Sequence, residues 1–305
     1  MAKRALGPAA LRVAQAVQAA WPGECIVGCS GGADSLALAL GAQWVAEQRG
    51  GSVTAVVVDH GLQEGSPEIA ARVADLLRER GLHVEIARVT VDATDGGVEA
   101  AAREARLGAL AAFELPVLLG HTLDDQAETV LLGLLRGSGT RSLAGMADQR
   151  DQFLRPLLGL RRADTVAACQ EWGVTPWSDP MNDELRYARV AIRHHLAALG
   201  EAVGRDLAPA LARTAQLARA DADLLDDLAA QAVQIDGDLA VADLAQLPDA
   251  LRWRVLHRWL GRLAPSAEFQ HVHAVDKLIT AWRGQGPIAV PGGQVLRRDG
   301  ALSVR

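Results

Sequence analysis

Short apolar runs alternate with longer amphipathic stretches over the first half of the chain. The apolar runs are rich in aliphatic and β-branched residues, which is typical of buried strands, and they lie at 24–29, 53–58, 84–89 and 116–120. The amphipathic stretches are rich in Ala, Leu, Glu and Arg and predict helices at 35–49, 67–80, 98–114 and 123–135. This alternation predicts an α/β fold, a doubly wound parallel sheet with helices on both faces.

The second half of the chain is mainly helical and ends in a β segment. Helical patterns occur at 161–172, in a stretch that ends at residue 193, and at 205–234, 249–262 and 268–283, with a turn-rich loop at 175–183 and a Gly- and Pro-punctuated β tail at 287–304. The sequence contains no internal repeat and no low-complexity linker. We therefore predict an N-terminal domain at 1–204, followed by a connecting helix and a small C-terminal α/β domain at 205–305.

The composition is that of a folded protein rather than a disordered or fibrous one. Of the 305 residues, 50% are hydrophobic and 22% are charged. No uncharged apolar run approaches the roughly 18 residues of a membrane helix, and Arg12, Gln15 and Gln18 interrupt the stretch that a signal peptide would need. We expect a cytoplasmic protein with no membrane partner. The three cysteines form no CxxC pair, which disfavours zinc, iron–sulfur and redox chemistry.

The charge is acidic in total but basic in two places. The formal net charge of −6 argues against a nucleic-acid partner, because neutralising phosphates takes a basic surface. The stretches 136–162 and 186–219, however, each hold six arginines against two acidic residues, a local net charge of +4. Each stretch forms either a basic patch or an ordinary solvated helix face.

A strand that runs into small residues and then into a helix gives the strongest local signal, and its sequence at 27–35 is VGCSGGADS. Successive Ser and Gly residues let several backbone N–H groups point into one concavity, and the helix N-terminus adds partial positive charge, which suits a phosphate or pyrophosphate. The loop is not a Walker A loop, because no lysine follows the glycines, and it lacks the GxGxxG spacing. The alternative is a tight turn capped by Ser30 or Asp34.

Residues 30–35 (SGGADS) resemble the SGGxDS loop of the PP-loop ATP pyrophosphatases, and seven further motifs follow in the order of the tRNA(Ile)-lysidine synthetase family. These are DHGL at 59–62, REAR at 103–106, LGHTLDDQAET at 119–129, RGSG at 136–139, RPLL at 155–158, DPMN at 179–182 and RVAIRH at 189–194. The resemblance runs from residue 24 to about 200, and the tail from 205 resembles the family's first C-terminal domain loosely. Thr122 stands where the family commonly has a second histidine, so a His–His metal pair is excluded.

This resemblance implies an ATP-dependent ligase that forms a C–N bond on the wobble cytidine of CAU-anticodon tRNA(Ile). The cytosine C2 oxygen attacks the α-phosphate of ATP and releases pyrophosphate, and the amine of L-lysine then attacks C2 and expels AMP. The modified base pairs with A instead of G, which changes the tRNA from methionine to isoleucine identity. The implied substrates and cofactors are ATP, Mg²⁺, tRNA(Ile) and L-lysine, and a homodimer is left open.

The resemblance also implies roles for individual residues. Catalysis is assigned to Asp34, Asp125, Arg103 and Arg106. ATP binding is assigned to Ser30, Gly31, Gly32, Asp34, Ser35, Asp59, His60 and His121. The expected Mg²⁺ ligand is Asp34, and the expected contacts to tRNA or substrate are Arg136, Arg189 and Arg193.

Each of these residues also has a purely structural interpretation. Residues 122–125 fit a capping box, in which each carboxylate stabilises the helix start by about 0.3 to 1 kcal/mol, and Asp124 is left undecided between capping and function. The two catalytic arginines lie one helical turn apart and could merely solvate one face. The two histidines could be core or capping residues. Because both histidines lie at strand ends, where α/β folds bind ligands, a role in the nucleotide pocket stays open for them, and the same position favours function for Asp125.

Three other functions compete with this one. A PP-loop tRNA thiolase would need sulfur-relay cysteines, and the absence of CxxC spacing disfavours it. A GMP synthetase would need a glutamine-hydrolysing domain, for which 305 residues leave no room. A non-catalytic module would bind adenine nucleotides without turning them over. The tail from about 205 is expected to hold the tRNA body through its cations, with buttressing or dimerisation as the alternatives.

Overall fold

The computed structural model describes residues 6–61, 65–91, 98–137, 139–178, 188–263 and 266–305. The chain forms two compact units, 1–216 and 217–305. No helix in the described ranges is long and apolar enough to cross a lipid bilayer. The DPMN motif at 179–182, together with Leu62 and Ser138 of two other motifs, lies outside the described residues.

A six-stranded sheet forms the centre of the first unit. Its strands are β1 (Glu24–Gly28), β2 (Ser52–Asp59), β3 (His83–Arg88), β4 (Val117–Leu119), β5 (Gln149–Arg150) and β6 (Phe153–Leu154). They lie in the order β3-β2-β1-β4-β6-β5, and every neighbouring pair is parallel except β5 with β6. The four predicted strands and their parallel pairing are confirmed. Periodicity does not predict β5 and β6, because two residues are too few to show an alternation.

Helices cover both faces of this sheet. They are α1 (Pro8–Ala19), α2 (Ala33–Arg49), α3 (Ser66–Glu79), α4 (Val98–Ala111), α5 (Leu123–Leu135), α6 (Thr140–Leu143), α7 (Arg162–Glu171) and α8 (Ala188–Ala202). Cys25 and Val27 of β1 belong to the core that contains α1, α2, α3 and α7, whereas Ile26 packs in a separate core with Leu110 of α4. Because consecutive strand residues point to opposite faces, this alternation confirms the doubly wound arrangement.

Three helices of the first unit differ from the prediction, and one of them, the four-residue α6, is too short to show a helical period. Helix α1 is not predicted, yet it buries Val13, Ala14 and Val17 in the core. The helix expected to end at residue 193 continues to Ala202, because HHLAAL at 194–199 contains no helix breaker.

The carboxyl ends of β1, β2 and β4 meet at one edge of the sheet, because these strands are parallel neighbours. From this edge β1 leads through residues 29–32 into α2, and β4 leads through residues 120–122 into α5. Residues far apart in sequence are thereby brought together where α/β folds bind ligands.

The second unit is built on an antiparallel sheet. Helix α9 (Ala208–Ala232) leads into it, and its other elements are β7 (Leu239–Ala240), α10 (Val241–Ala245), α11 (Asp249–Gly261), α12 (Phe269–Thr280), β8 (Ile288–Val290), β9 (Gly293–Arg298) and β10 (Ala301–Val304). The strand order is β7-β10-β9-β8. Asp299 and Gly300 join β9 to β10 with positive φ angles of 50° and 79°, as a two-residue hairpin turn requires. The predicted long helix and β tail are confirmed.

Candidate functional site

The loop between β1 and α2 is held closed by Ser35. The Ser35 hydroxyl accepts a hydrogen bond from the Ser30 backbone N–H (3.2 Å) and donates one to the Gly32 carbonyl (3.0 Å). Gly31 has a φ of +85°, and a Cβ at this position would lie 2.5 Å from Cγ2 of Val73, so the turn requires glycine. The predicted phosphate loop is therefore a tight turn that ends at the N-terminus of α2, a favourable position for an anion.

The corner that follows β4 lies directly against this loop. A Cβ at Gly120 would lie 2.9 Å from the backbone carbonyl carbon of Asp34 and 3.0 Å from the backbone nitrogen of Ser35. Only a residue without a side chain allows this approach. His121 and the start of α5 therefore adjoin the first turn of α2.

Three carboxylates from two helices gather around one arginine, and we call them the acidic cluster: Asp34 of α2, and Asp125 and Glu128 of α5. The Arg162 Nε lies 3.1 Å from Oδ2 of Asp34, and its Nη2 lies 2.6 Å from Oδ1 of Asp125. Its Nη1 lies 3.6 Å from Oε1 of Glu128, which is also 2.8 Å from Nε of Arg193. Three carboxylates and two guanidinium groups leave one net negative charge. Within the described residues, the buried Oε2 of Glu128 has no hydrogen-bond partner.

Asp125 serves the helix and the cluster together. Its Oδ2 accepts hydrogen bonds from the backbone N–H and the hydroxyl of Thr122, both at 2.8 Å, and the predicted capping box is confirmed. Burial alone would raise the pKa of Asp125, but Arg162 and the bonds from Thr122 outweigh burial and hold that pKa below its usual range. Asp125 is therefore ionised at neutral pH, with one oxygen in the cap and the other on Arg162.

Asp34 has the opposite electrostatic balance. Burial raises its pKa above the usual value, although Arg162 and the hydroxyl of Thr165 both donate hydrogen bonds to its carboxylate. A carboxylate in this state is stabilised by a further cation, and its oxygens are the ligands that Mg²⁺ prefers. No cluster of three or more His, Cys, Asp or Glu in the described ranges could hold a metal ion. A Mg²⁺ ion at Asp34 would therefore take its other ligands from phosphate oxygens and water.

Asp124 lies beside the acidic cluster but links two helices. Its carboxylate is 2.8 Å from Nη2 of Arg161 and accepts a hydrogen bond from the backbone N–H of Arg162 at 2.7 Å. Both partners belong to the start of α7, so this carboxylate fixes α7 against α5. The structure thus favours the structural interpretation of Asp124.

Three arginines form a second, oppositely charged group, and we call them the cationic cluster: Arg103 and Arg106 of α4, and Arg189 of α8. Burial, followed by the like charges of Arg103 and Arg189, lowers the pKa of Arg106 to about 10. The Arg106 Nε is buried and has no hydrogen-bond partner in the part of the chain that the structure describes. A buried cation among like charges is poorly satisfied by the protein itself, which points to an anionic ligand.

His121 lies close enough to the cationic cluster for the charges of Arg103 and Arg106 to act on its imidazole. Burial and the positive charges of Arg155 and two arginines of the cluster lower its pKa to about 3, against the opposing charge of Asp125. The imidazole is therefore neutral at physiological pH. Its Nδ1 is buried without a hydrogen-bond partner among the described residues, and the same holds for Nδ1 of His60. Both rings can thus accept or donate one hydrogen bond to a ligand.

Asp59 closes a turn at the end of β2. Its Oδ1 accepts hydrogen bonds from the Gly61 backbone N–H at 3.1 Å and from the Ser66 hydroxyl at 2.6 Å. These bonds shape the turn after β2 and hold it to the start of α3. Asp59 lies at the carboxyl end of β2, at the predicted edge of the sheet. The hydrogen bonds that the structure shows for its carboxylate stabilise this turn.

The structure separates the three arginines that the sequence groups as tRNA or substrate contacts. Arg189 lies in the cationic cluster and Arg193 pairs with Glu128 of the acidic cluster. Arg136 is exposed at the C-terminal end of α5, about 16 Å along the helix from Asp125. Arg136 is therefore available to a large ligand and not to the acidic cluster.

A cavity of about 540 Å³ opens beside the acidic cluster. Glu128, Arg162 and Arg193 contribute its charged side, and Leu196 and Ala197 of α8 contribute apolar surface. This volume falls in the range of small-molecule sites. The whole lining holds four acidic residues and four arginines, so it offers a small ligand contacts for both signs of charge beside an apolar surface.

Sequence reasoning missed Arg162 and Thr165 as parts of the site. Both belong to α7, the helix that follows the RPLL motif, and the double arginine at 161–162 was the available signal. Nothing in the local pattern shows that α7 directs these side chains to α2 and α5.

Known proteins resemble the chain over almost its whole length. A family model described as a PP-loop domain matches residues 8–199, and one described as the TilS substrate binding domain matches residues 239–303. The tRNA(Ile)-lysidine synthase of Salinispora tropica is 48% identical over 301 residues, which cover 92% of this chain and 90% of that protein. The tRNA(Ile)-lysidine synthase of Cutibacterium acnes is 46% identical over 314 residues, which cover 99% and 98%.

A solved structure shares the fold of the first unit. The U34-tRNA thiolase of Methanococcus maripaludis superposes with a TM-score of 0.56 at 15% identity, over 69% of this chain and 80% of that protein. At this identity the likeness concerns the fold alone. Together with the matched PP-loop domain it confirms the predicted fold class.

Proposed function

Because this chain belongs to the tRNA(Ile)-lysidine synthase family, we propose that it joins L-lysine to C2 of the wobble cytidine in CAU-anticodon tRNA(Ile). Membership of the family makes it an ATP-dependent ligase that modifies tRNA(Ile). L-lysine, Mg²⁺ and the roles of individual residues are the finer parts of the proposal. The observation that carries them is the meeting of a phosphate loop, the acidic cluster and the cationic cluster in one unit.

The phosphate loop is the proposed site of the ATP phosphates. The turn formed by Ser30, Gly31, Gly32 and Ser35 places the N-terminus of α2 against the leaving pyrophosphate. Asp34 would hold Mg²⁺, which, when bound, offsets the negative charge of the phosphates. The protein's share in this step is positioning and charge stabilisation, as in other phosphoryl transfers.

The cationic cluster is the proposed partner of the α-phosphate and the target nucleotide. Arg106 and its neighbours offset the negative charge that moves onto the phosphates when the C2 oxygen attacks. His121 and His60 each offer a nitrogen that has no partner in the described structure, which suits a base or ribose contact. The wobble base must leave its stack to reach this site, as enzymes that modify a base require.

The cavity beside the acidic cluster is the proposed lysine site. The cluster carries one net negative charge, and the buried Oε2 of Glu128 has no partner among the described residues, so one ammonium group would complete it. The apolar surface of α8 suits an aliphatic stem. The carboxylates would orient the ammonium before the free amine attacks C2.

The second unit is the proposed holder of the tRNA body, with the chemistry confined to the first domain. Residues 239–303 match the substrate-binding family model, whereas the whole unit, 217–305, holds ten Lys and Arg against eleven Asp and Glu. The proposal therefore depends on the exposed Arg258, Arg283 and Arg298, whose charges can reach the phosphates of a stem. We expect the enzyme to act in the cytoplasm, and a homodimer stays a prediction for light scattering to check.

A sulfur-transfer reaction is the main competing function, and the state of the cysteines disfavours it. All three are buried, and burial raises the pKa of Cys25 and of Cys169 to about 12. Thiols of this kind are poor nucleophiles at neutral pH, because the thiolate is the reactive form.

The direct test supplies ATP, Mg²⁺, radiolabelled lysine and unmodified tRNA(Ile) with a CAU anticodon. We expect one lysine incorporated per tRNA, and none into the same tRNA with uridine in place of the wobble cytidine. Sulfur incorporation without lysine would favour a thiolase. ATP binding without turnover would favour a non-catalytic module.

A further inference from the structure

Arg162 contacts all three carboxylates of the acidic cluster at once. Nε faces Asp34, Nη2 faces Asp125 and Nη1 faces Glu128. A guanidinium group can do this because its donors form a rigid planar fork. A lysine ammonium is a compact point charge and cannot hold three carboxylates in fixed directions.

The backbone of Arg162 is fixed by the same two helices that carry the carboxylates. Its N–H donates to Asp124 of α5 at 2.7 Å. Its carbonyl lies 2.8 Å from the Thr165 hydroxyl, whose single proton is shared between this carbonyl and the carboxylate of Asp34 in α2. The position of the guanidinium is therefore tied to α2 and α5 independently of any ligand.

Arg162 also stands between two parts of the site. It lines the cavity beside Glu128, while its Nε reaches Asp34 in the helix that follows the phosphate loop. Without the guanidinium group, the three carboxylates would repel one another and would no longer be held in fixed positions. A shift of about 1 Å in groups that orient a reactant can slow a reaction about 100-fold.

We propose that Arg162 is a positioning residue for the second step, which fixes the acidic cluster so that the lysine amine, and not water, attacks C2 of the adenylated cytidine. This inference rests on the proposed function. In the productive step a C–N bond forms, the bond from C2 to the AMP oxygen breaks, AMP leaves with the electron pair and the amine loses a proton. When water attacks instead, C2 takes its oxygen from water, AMP leaves and cytidine is restored.

The experiment measures pyrophosphate release and lysine incorporation in the same reaction of the full chain with unmodified tRNA(Ile). Wild type should give one lysine per pyrophosphate. In Arg162→Lys we expect lysine incorporation to fall about 100-fold and pyrophosphate release to fall much less, with a raised KM for lysine. Arg12→Lys is the matched control, because Arg12 holds Asp164 of the same helix through Nε (3.1 Å) and Nη2 (2.6 Å). In Arg12→Lys the ratio of lysine incorporated to pyrophosphate released should stay at one.

A ratio that stays at one in Arg162→Lys would overturn the proposal, whether both rates fall together or neither falls. Arg162→Gln serves as a second variant and should uncouple the two products further, since it also removes the charge. Variants that do not fold would contradict the proposal too, because Arg162 would then be a structural residue. If wild type itself incorporates no lysine, the proposed function fails; if only the variant ratio is unchanged, the role of Arg162 alone fails.

Discussion

The acidic cluster and the cationic cluster both lie in the first unit, yet they balance charge in opposite ways. Each carboxylate of the acidic cluster has a cationic partner, and Arg162 is shared by all three. Arg106 of the cationic cluster lies among like charges, and its pKa is lowered to about 10. The acidic cluster is held together by Arg162, whereas the buried Nε of Arg106 has no hydrogen-bond partner among the described residues.

This difference indicates when each region acquires its partners. Groups that must be in place before the substrate arrives are held by internal ion pairs, which is how an enzyme preorganises its charges. Groups that meet a polyanionic substrate need no internal partner, because phosphates supply it. Loss of Asp125 should therefore affect stability and function, whereas loss of Arg106 should affect function alone.

The largest effect is expected from Asp34→Asn, which keeps the shape of the side chain and removes its charge. Pyrophosphate release should fall about 1,000-fold, because the carboxylate that would hold Mg²⁺ on the phosphates is lost. Release is followed with a coupled phosphate assay. Asp164→Asn is the control, since Asp164 caps α7 and pairs with Arg12 outside the cluster. Near-normal release in Asp34→Asn would reduce this residue to a helix-start carboxylate.

Arg106→Gln should separate function from stability. We expect tRNA-dependent pyrophosphate release to fall about 100-fold, since one donor to the developing charge is lost. The melting temperature should stay or rise, because burial and like charges disfavour the charged form of Arg106 in the fold. A lower melting temperature with a normal rate would show that Arg106 is a structural residue and would remove the contrast between the two regions.

The pH dependence of stability should differ in sign between Asp125 and Asp34. The lowered pKa of Asp125 means that its charged form stabilises the fold, a contribution present above the unfolded pKa and lost as pH falls through the folded value. Asp125→Asn should therefore lower the free energy of unfolding by about 2 kcal/mol at neutral pH and by less in acid. The raised pKa of Asp34 means that its charged form destabilises the fold. The free energy of unfolding of Asp34→Asn, relative to that of wild type, should therefore be highest at neutral pH, where Asp34 is charged in wild type.

Urea denaturation across this pH range measures both variants against wild type. Parallel pH profiles for the two variants would contradict the opposite directions of the two pKa shifts. They would also show that the fold stabilises the charged forms of Asp34 and Asp125 alike.

The smallest effect is expected from single charges of the second unit. Arg258→Gln, Arg283→Gln and Arg298→Gln should each weaken tRNA binding a few-fold and reduce the salt slope of the affinity by about one. Arg49→Gln is the control, because Arg49 lies at the end of α2, away from the carboxyl edge of the sheet. Filter binding at several salt concentrations gives the slopes. Unchanged slopes would leave buttressing or dimerisation as the role of this unit.

The sequence predicts the sheet well, because buried parallel strands are continuous apolar runs, as β2 (Ser52–Asp59) shows. It also predicts the phosphate loop and the capping box at 122–125, since both depend on neighbouring residues. The role of Arg162 is not predictable in this way. Its contacts to Asp34 and Asp125 join residues 128 and 37 positions apart, and only the packing of α7 on α2 and α5 brings them together.

The measurement that tests the central claim most directly is pyrophosphate release from ATP and Mg²⁺ when lysine and tRNA are supplied separately. If the acceptor of the adenylyl group is a base bound beside the cationic cluster, unmodified tRNA(Ile) without lysine should trigger release, and lysine without tRNA should not. Vigorous release with ATP and lysine alone, unaffected by RNA, would mean that the enzyme forms a free amino-acid adenylate, and it would contradict the assignment of both clusters.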